Sequence, residues 1–517
     1  MGERDIIFLI GFSYTGKTIV GKLLSERLGY EFVDVDDEIE RRTGKDIPRI
    51  FSEDGEGFFR DMESRVLRDV SHGKKVIATG GGIVIREENR RFMRERGRVI
   101  CLEASPEVIY GRMGDGKERP LLKQDPLRRI KEIKSERQRF YNEADIIIHT
   151  DNLSPEEVLK LILTFTFIRG PFSILMVKTG EPYPVLIGEG ILDEAGERLR
   201  EKGIKGKLFV ISDDGVFDKW GKRLLSSLEG YKVFHYVVPR GEGSKSLETA
   251  WKIYDFLLSK DAERWDHVIG FGGGMVGDLA GFVASTYMRG MGFILIPTTL
   301  LSMVDSSIGG KVAINHPSAK NLIGSFYQPS MVIMDTATLK TLPEKEFISG
   351  WAEVIKHALI MDEDFFSYLE RERERLLSME GVIEAITRSL KIKGRVVEED
   401  EREEKGLRSL LNYGHTVGHA IESATDYKKF LHGEAISLGM VAESYISLYM
   451  GLLREEELER EKRLLEGFSL PVRTSGIDRG RVIALMKHDK KKRGCLLYTS
   501  DAADEGLGVD LGGRRII

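Results

Sequence analysis

Three histidines and one glutamate carry the strongest suggestion of metal chemistry in this sequence. His415 and His419 stand four apart in Leu411-Asn-Tyr-Gly-His415-Thr-Val-Gly-His419-Ala420, His432 follows in Leu431-His-Gly-Glu434, and Glu353 stands three before Lys356. On a helix, residues three or four apart share a face, so either pair could place one ligand. Cys101 and Cys495 are the chain's two cysteines, so no cysteine cluster or disulfide framework can form, and a metal must be held by imidazole and carboxylate. Phosphate chemistry is written elsewhere. Gly11-Phe-Ser-Tyr-Thr-Gly16-Lys17-Thr18 fits G-x-x-x-x-G-K-[ST], between the apolar run Ile6–Ile10 and a helix-period segment. Its glycines let backbone N–H groups close around a β-phosphate, Lys17 adds a charge for the β and γ oxygens, and the Thr18 hydroxyl can ligate Mg²⁺. The motif fixes the nucleotide and leaves the acceptor open. A third signal, Gly272-Gly273-Gly274-Met-Val-Gly277-Asp278, is a G-x-G-x-x-G turn after the apolar run His267–Phe271, a weak dinucleotide signature when taken alone.

The elements that must position these residues read as α/β. At 517 residues the chain is too long for one core, and two or three globular units are expected. Short apolar runs at Ile6–Ile10, Val76–Thr79, Val99–Leu102 and Ile146–Ile148 alternate with charged helical segments, the βαβ rhythm of a parallel sheet. We assign residues 1–165 to this unit and 166–172, where Ile168-Arg-Gly-Pro171 breaks the periodicity, to a linker. A second α/β unit, 173–342, has strands at Leu208–Ile211, Val233–Val237, His267–Phe271 and Phe293–Ile296. Residues 343–494 read as all-helical. From Cys495 the text, CLLYTSDAADEGLGVDLGGRRII, has neither period and reads as a sequencing artefact, so 495–517 is excluded from fold reasoning. A net charge of −5 gives no electrostatic reason to expect nucleic acid or an acidic membrane as partner. With no signal-like apolar stretch near the start, the expected location is the cytoplasm.

Downstream of the phosphate motif come Asp34-Val-Asp36, Gly55-Glu-Gly-Phe-Phe-Arg60, Ala78-Thr-Gly80-Gly81-Gly82, Arg119-Pro-Leu-Leu122, and Arg137 four residues before Tyr141. In this order, over residues 4–165, they resemble the shikimate kinases. The resemblance implies that Gly11, Thr15, Gly16, Lys17 and Thr18 hold ATP, with Arg112 stacked on adenine. It further implies that Asp36, Arg60, Gly81, Gly82 and Arg137 bind shikimate and that Asp34 joins Thr18 in supporting Mg²⁺. Arg119 would sit on a lid, Gly114–Leu122, and stabilise the transferring phosphoryl group, which makes Lys17, Asp36 and Arg119 the catalytic set. Guanidinium forks suit a carboxylate, and a carboxylate beside the acceptor hydroxyl can orient it or take its proton.

Beyond the second glycine turn lie Pro297-Thr298-Thr299, Asp305-Ser-Ser-Ile-Gly-Gly310-Lys311, Lys320-Asn321, the Glu353 and histidine segments, and His488-Asp-Lys490. Over residues 173–494 this series resembles the 3-dehydroquinate synthases. The resemblance assigns Glu353, His415 and His432 as ligands of zinc, with cobalt as an alternative. Three N or O ligands with one open position describe a catalytic site. It implies NAD contacts at Asp213, Glu242, Lys245, Gly273, Gly274, Gly277, Asp278, Thr298, Thr299, Lys311 and Lys320. Contacts to 3-deoxy-arabino-heptulosonate 7-phosphate fall on Arg289, Asp305, Lys311, Asn321, Lys356, Lys393, Arg408, Asn412, His419 and Lys490, of which Lys311, Lys356 and His419 are catalytic. The implied reaction transiently oxidises C5, eliminates phosphate, returns the hydride and closes the ring to 3-dehydroquinate, so NAD is catalytic and a cationic pocket is required. A homodimer through this half is also implied. Asp400–Arg408 is one residue longer than the usual spacing. Two rival readings are a zinc polyol dehydrogenase of the glycerol dehydrogenase type, which needs fewer phosphate-facing cations, and a chain in which one half is a non-catalytic binding module.

Overall fold

The structure, a computed structural model, describes residues 5–114, 122, 125–165 and 172–486. Arg119 with most of its lid, Lys490, nearly all of the 166–172 linker and the tail from Cys495 lie outside the described residues. The chain forms two compact units, the first running to Leu175 with Glu197–Ile204 added, the second containing Met176–Gly196 and everything from Lys205. No helix among the described residues is long and apolar enough to cross a membrane.

The first unit is built on β1 (Ile6–Ile10), β2 (Glu31–Asp34), β3 (Lys75–Ala78), β4 (Arg98–Glu103), β5 (Ile146–His149) and β6 (Phe172–Val177). They lie in the order β2-β3-β1-β4-β5-β6, and all of these pairs are parallel. All five residues of β1 are apolar and buried, as expected of a parallel strand covered on both faces. With β3 on one side of it and β4 on the other, the carboxyl end of β1 opens on a crevice at the sheet's switch point. Around that end sit α1 (Lys17–Leu28), α2 (Val35–Thr43), α3 (Gly55–Val70) and α4 (Pro126–Tyr141). One boundary differs from the sequence reading. The sequence places the start of the second unit at residue 173, but β6 pairs with β5 through Ile146↔Phe172 and Ile148↔Ile174, so the first compact unit reaches Leu175.

The second unit contains β7 (Tyr183–Gly188), β8 (Lys207–Asp213), β9 (Lys232–Val238), β10 (His267–Gly272), β11 (Gly292–Pro297) and β14 (Met331–Asp335), parallel in the order β7-β14-β11-β10-β8-β9. An antiparallel hairpin, β12 (Lys311–His316) and β13 (Ala319–Phe326), stands apart from this sheet. The glycine turn leaves β10, between β8 and β11, and starts α5 (Gly274–Thr286).

From Glu344 the described chain is helical: α6 (Glu344–Met361), α7 (Glu363–Leu377), α8 (Val382–Glu399), α9 (His415–Ala424), α10 (His432–Tyr449), α11 (Glu455–Gly467) and α12 (Arg479–Met486). Glycines set the close approach of three of them. A Cβ on Gly439 of α10 would lie 1.9 Å from Gly414 O at the start of α9, and one on Gly433 of α10 would lie 1.9 Å from Ser349 O of α6. Only a residue without a side chain fits these crossings, and they bring the first residues of α9 and α10, His415 and His432, toward the middle of α6.

Candidate active sites

The phosphate loop follows β1 directly. Gly11 and Gly16 take φ of 134° and 97°, and a Cβ on Gly11 would lie 2.2 Å from Leu102 O, so glycine is required there sterically. Lys17 opens α1, and its ammonium donates to Gly11 O at 2.9 Å and Phe12 O at 2.7 Å, folded over the loop that would cradle phosphate. Thr15 Oγ1 donates to Phe12 O at 2.9 Å. Thr18 Oγ1 donates to Asp34 Oδ2 at 2.7 Å, while Asp34 Oδ1 accepts from Asp36 N at 3.0 Å. Burial raises the Asp34 pKa, the Thr18 bond opposes the rise, and Asp36 and Asp37 add to it. A hydroxyl and a carboxylate side by side fit Mg²⁺.

A second group of residues closes around Gly80–Gly82. Arg60 donates to Glu63 at 2.5 Å and to Glu56 at 2.8 Å. Arg137 and Tyr141 both donate to Gly81 O, at 3.2 and 2.6 Å. A Cβ on Gly80 would come within 2.6 Å of carboxylate oxygens of both Asp36 and Glu63, and one on Gly82 within 2.2 Å of Arg60 Nη1. Asp36, Arg60, Gly81, Gly82 and Arg137 are therefore brought to one place. Arg112 lies apart, donating to Thr150 Oγ1 at 3.2 Å and Thr150 O at 2.6 Å. The sequence reading passed over Glu63, which burial pushes up to about 7 against the pull of Arg60. Its spacing of three from Arg60 on α3 was the available signal.

In the second unit the glycine turn lines a cleft at the carboxyl ends of β8, β10 and β11. Gly273 precedes α5, and Cβ atoms on Gly273 and Gly274 would stand 3.3 Å from Thr299 Cγ2 and Ser306 Oγ. Gly277 packs on β11, where a Cβ would meet Leu295 Cδ1 at 3.1 Å. Thr298 Oγ1 is buried with no hydrogen-bond partner among the described residues. Such a cradle, with an orphaned hydroxyl beside it, fits a dinucleotide. Asp213 ends β8 and caps Val216 N at 3.1 Å. Lys245 bonds both Asp278 and Asn321. Burial raises Asp278 to about 6, with Lys245 resisting. Asn315 joins Glu242 at 2.7 Å and Asn321 N at 2.9 Å, so the hairpin is tied to this cleft. Lys320 lies 3.7 Å from the centroid of the Tyr427 ring.

The third cluster lies among the helices. Glu353 is fully buried, and its Oε1 has no hydrogen-bond partner among the described residues, yet it faces His415 Nε2 at 3.5 Å and His432 Nε2 at 3.9 Å. A buried anionic oxygen opposite two imidazole nitrogens fits a divalent cation, and the three ligand atoms lie within 4.8 Å of one another. His415 Nδ1 donates to Tyr413 O at 3.2 Å, which sets the tautomer whose acceptor is Nε2, the atom that faces Glu353. His432 Nδ1 is 3.4 Å from Glu422 Oε2. Burial lowers the His432 pKa, but Glu422 and Glu353 together give a net rise. Glu422 was missed in the sequence, although its place seven residues after His415 puts it on the face shared with His419. His419, Glu422 and His432 form a second, overlapping set, and the orphaned Glu353 oxygen favours the first.

Cations surround this cluster. Lys356 pairs with Glu353 and donates to Leu411 O at 2.7 Å, next to Asn412. Lys393 pairs with Asp305; although burial works the other way, Lys393 and Lys356 hold that carboxyl well below its usual range. Burial in turn lowers Lys393. Arg408 donates to Glu401 O at 2.8 Å and lies 3.6 Å from Glu403, which also pairs with Lys311. Exposed Arg289, at φ 63°, makes no hydrogen bond or ion pair with the cluster among the described residues.

Comparison with known proteins finds three matched stretches of the chain. A family model described as shikimate kinase matches residues 14–166; models described as 3-dehydroquinate synthase N-terminal and C-terminal match residues 235–349 and 350–492. The 3-dehydroquinate synthase of Desulforamulus reducens is 48% identical over 314 residues, covering 60% of this chain and 87% of that protein. That of Thermodesulfovibrio yellowstonii is 47% identical over 323 residues, covering 61% and 90%. A solved 2-deoxy-scyllo-inosose synthase complexed with carbaglucose-6-phosphate, NAD⁺ and Co²⁺ is 27% identical, with a TM-score of 0.54 over 62% of this chain and 88% of that one. A solved shikimate kinase from Aquifex aeolicus is 46% identical, with a TM-score of 0.28 over 31% and 94%.

Proposed function

Because the chain belongs to the shikimate kinase family over residues 14–166 and to the 3-dehydroquinate synthase family over residues 235–492, we propose that the residues gathered in its two units carry those two reactions. The chain is a bifunctional enzyme of the shikimate pathway. It phosphorylates shikimate with ATP and converts 3-deoxy-D-arabino-heptulosonate 7-phosphate to 3-dehydroquinate and phosphate. We divide it into a kinase that runs past the expected 166–172 linker to Leu175, a dinucleotide-binding domain from there to residue 342, and a helical metal- and substrate-binding domain, 343–494.

In the kinase, Lys17 and the loop amides hold the β and γ phosphates, Thr18 and Asp34 hold Mg²⁺, and Arg60 and Arg137 fork onto the shikimate carboxylate. Asp36 orients the acceptor hydroxyl and takes its proton. Glu63 and Glu56 fix the Arg60 fork in advance. Arg119 stabilises the transferring phosphoryl group.

In the synthase, Glu353, His415 and His432 hold zinc or cobalt, and the Gly273–Asp278 turn with Asp213, Glu242, Lys245, Thr298, Thr299 and Lys320 holds NAD. When bound, NAD supplies a reversible hydride acceptor and the metal a Lewis acid for vicinal hydroxyls. Lys311, Lys393, Arg408 and Lys490 hold the substrate's carboxylate and phosphate, with Arg289, Asp305, Asn321 and Asn412 as further contacts. Lys356, anchored between Glu353 and Leu411 O, and His419 move the protons in this reading. The observation that carries this reading is the buried Glu353 oxygen facing two imidazole nitrogens. Parallel assays of the purified chain for shikimate-dependent ADP formation and for phosphate release from the heptulosonate phosphate test it; a chain inactive in either assay, with its metals and NAD supplied, contradicts the corresponding half.

Glu403 supplies a sharper test of the anion pocket. It sits between Lys311 and Arg408, where a substrate anion would bind. Glu403→Gln should lower KM for the heptulosonate phosphate about two- to fivefold at unchanged kcat, a modest effect because the Lys311 pair is exposed. A KM that stays the same or rises would remove Glu403 from competition with substrate.

We further propose a cytoplasmic homodimer joined through the synthase half. Leu247, Trp251 and Leu258 are 56, 64 and 69% exposed and line one face of the Leu247–Ser259 helix. Trp251→Glu should convert dimer to monomer in sedimentation velocity, whereas a wild type that sediments as a monomer at all concentrations contradicts the proposal.

A further inference from the structure

The turn that delivers His415 is anchored by a buried network outside the reacting groups. The Tyr413 hydroxyl lies 2.5 Å from Ser444 Oγ, 3.2 Å from both carboxylate oxygens of Glu461 and 3.3 Å from Met440 O. Ser444 Oγ donates to Glu461 Oε2 at 2.5 Å. At the other end of the same residue, the Tyr413 carbonyl accepts from His415 Nδ1 at 3.2 Å. The next residue, Gly414, donates its N–H to Glu443 Oε2 at 2.8 Å.

Glu443 and Ser444 ride on α10, the helix whose first residue is His432, and Glu461 rides on α11. One bonded chain therefore runs from Glu461 through Ser444 and Tyr413 to the ring of a metal ligand. The backbone allows little slack: Gly414 has φ of 77°, and a Cβ there would lie 2.5 Å from Met440 Cγ and 2.9 Å from Ile436 O. A carbonyl can only accept, so the Tyr413 contact fixes both the tautomer and the tilt of His415, aiming Nε2 at Glu353.

Glu461 is an unusual choice for such a place. It is 2% exposed, and no Lys, Arg or His forms an ion pair with it among the described residues. Burial pushes its carboxyl up to about 7, opposed by the Ser444 and Tyr413 bonds. Phenylalanine and leucine would fill the same volume without burying polar groups, but they would not define a single position for the ring. The directional bonds are what an apolar filling lacks.

We propose that Tyr413, locked by Ser444 and Glu461, is a positioning residue for the metal-ligating imidazole of His415. This rests on the Glu353, His415 and His432 metal site. The test uses the full chain loaded with zinc or cobalt and reads two properties besides activity: zinc dissociation into a chromogenic chelator and the visible spectrum of the Co²⁺ form. Tyr413→Phe and Ser444→Ala should each release zinc about tenfold faster, the low end for groups that orient a metal ligand, and shift the Co²⁺ bands. Glu461→Gln, which keeps an acceptor for both hydroxyls, should stay within about twofold of wild type, while Glu461→Leu should behave like Tyr413→Phe.

NAD affinity should be unchanged in all of them, which separates a disturbed metal ligand from a lost fold. Wild-type zinc release and an unshifted Co²⁺ spectrum in Tyr413→Phe would overturn the proposal. If that variant does not fold, the same result in Ser444→Ala overturns it. Stoichiometric zinc binding that survives His415→Ala would instead sink the metal-site reading itself, whatever the Tyr413 variants do.

Discussion

Lys17→Ala should reduce shikimate phosphorylation by about three orders of magnitude while phosphate release from the heptulosonate phosphate is unchanged. The ammonium is nearly buried and rests on Gly11 O and Phe12 O, within the arc of backbone amides that follows β1. With ATP in the loop the same group turns to the β and γ oxygens, where no other described lysine stands at the start of α1. Alanine removes the charge and leaves the loop glycines and the α1 dipole in place, so residual nucleotide binding with little turnover is the expected pattern. The synthase residues all lie in the other compact unit, so their activity is an internal control in the same tube. Coupled assays of ADP and of inorganic phosphate measure both. Kinase activity that survives the substitution would contradict the assignment of the first site.

Metal removal should have the opposite selectivity. Dialysis against a chelator should abolish the synthase and leave shikimate phosphorylation intact once Mg²⁺ is restored, and Zn²⁺ or Co²⁺ should bring the synthase back. Glu353 explains the dependence. One of its oxygens pairs with Lys356, and the other has, among the described residues, no hydrogen-bond partner and two imidazoles before it, so without a cation a buried carboxylate is left short of partners. Glu353→Gln should lower zinc affinity by at least about a hundredfold, beyond the usual cost of losing an outer-shell partner. It should also destabilise the helical region by about 3–5 kcal/mol, since Lys356 is left buried beside a neutral amide. Thermal unfolding and metal analysis check the two effects separately. Equal and irreversible loss of both activities on chelation would contradict separate sites.

The parts of these sites that could be read from sequence are those written in consecutive residues. Gly11 to Thr18 forms its cradle within one loop, and His415 with His419 shares a helix face by spacing alone. Glu63 and Glu422 carried the same kind of signal, three after Arg60 and seven after His415, but acidic residues on amphipathic helices are usually solvated and neither was singled out. Glu403 had no local signal, because its meaning comes from Lys311 on a hairpin and Arg408 across a loop. The same holds for β7 and β14, short apolar runs that periodicity cannot separate from buried helix, and for β6, whose partner strand decides to which unit it belongs. The approach of α6, α9 and α10 rests on Gly414, Gly433 and Gly439, whose purpose is invisible until their neighbours are known.

The second site uses NAD as a returned hydride carrier to expel phosphate from a sugar acid. The most direct measurement incubates the zinc-loaded chain with excess 3-deoxy-D-arabino-heptulosonate 7-phosphate and a small fraction of that amount of NAD⁺, following phosphate and absorbance at the NADH band together. Many phosphates released per NAD⁺, with no accumulation of NADH, is the predicted result. NADH accumulating in step with substrate consumed, and no phosphate, would contradict it and identify a polyol dehydrogenase instead.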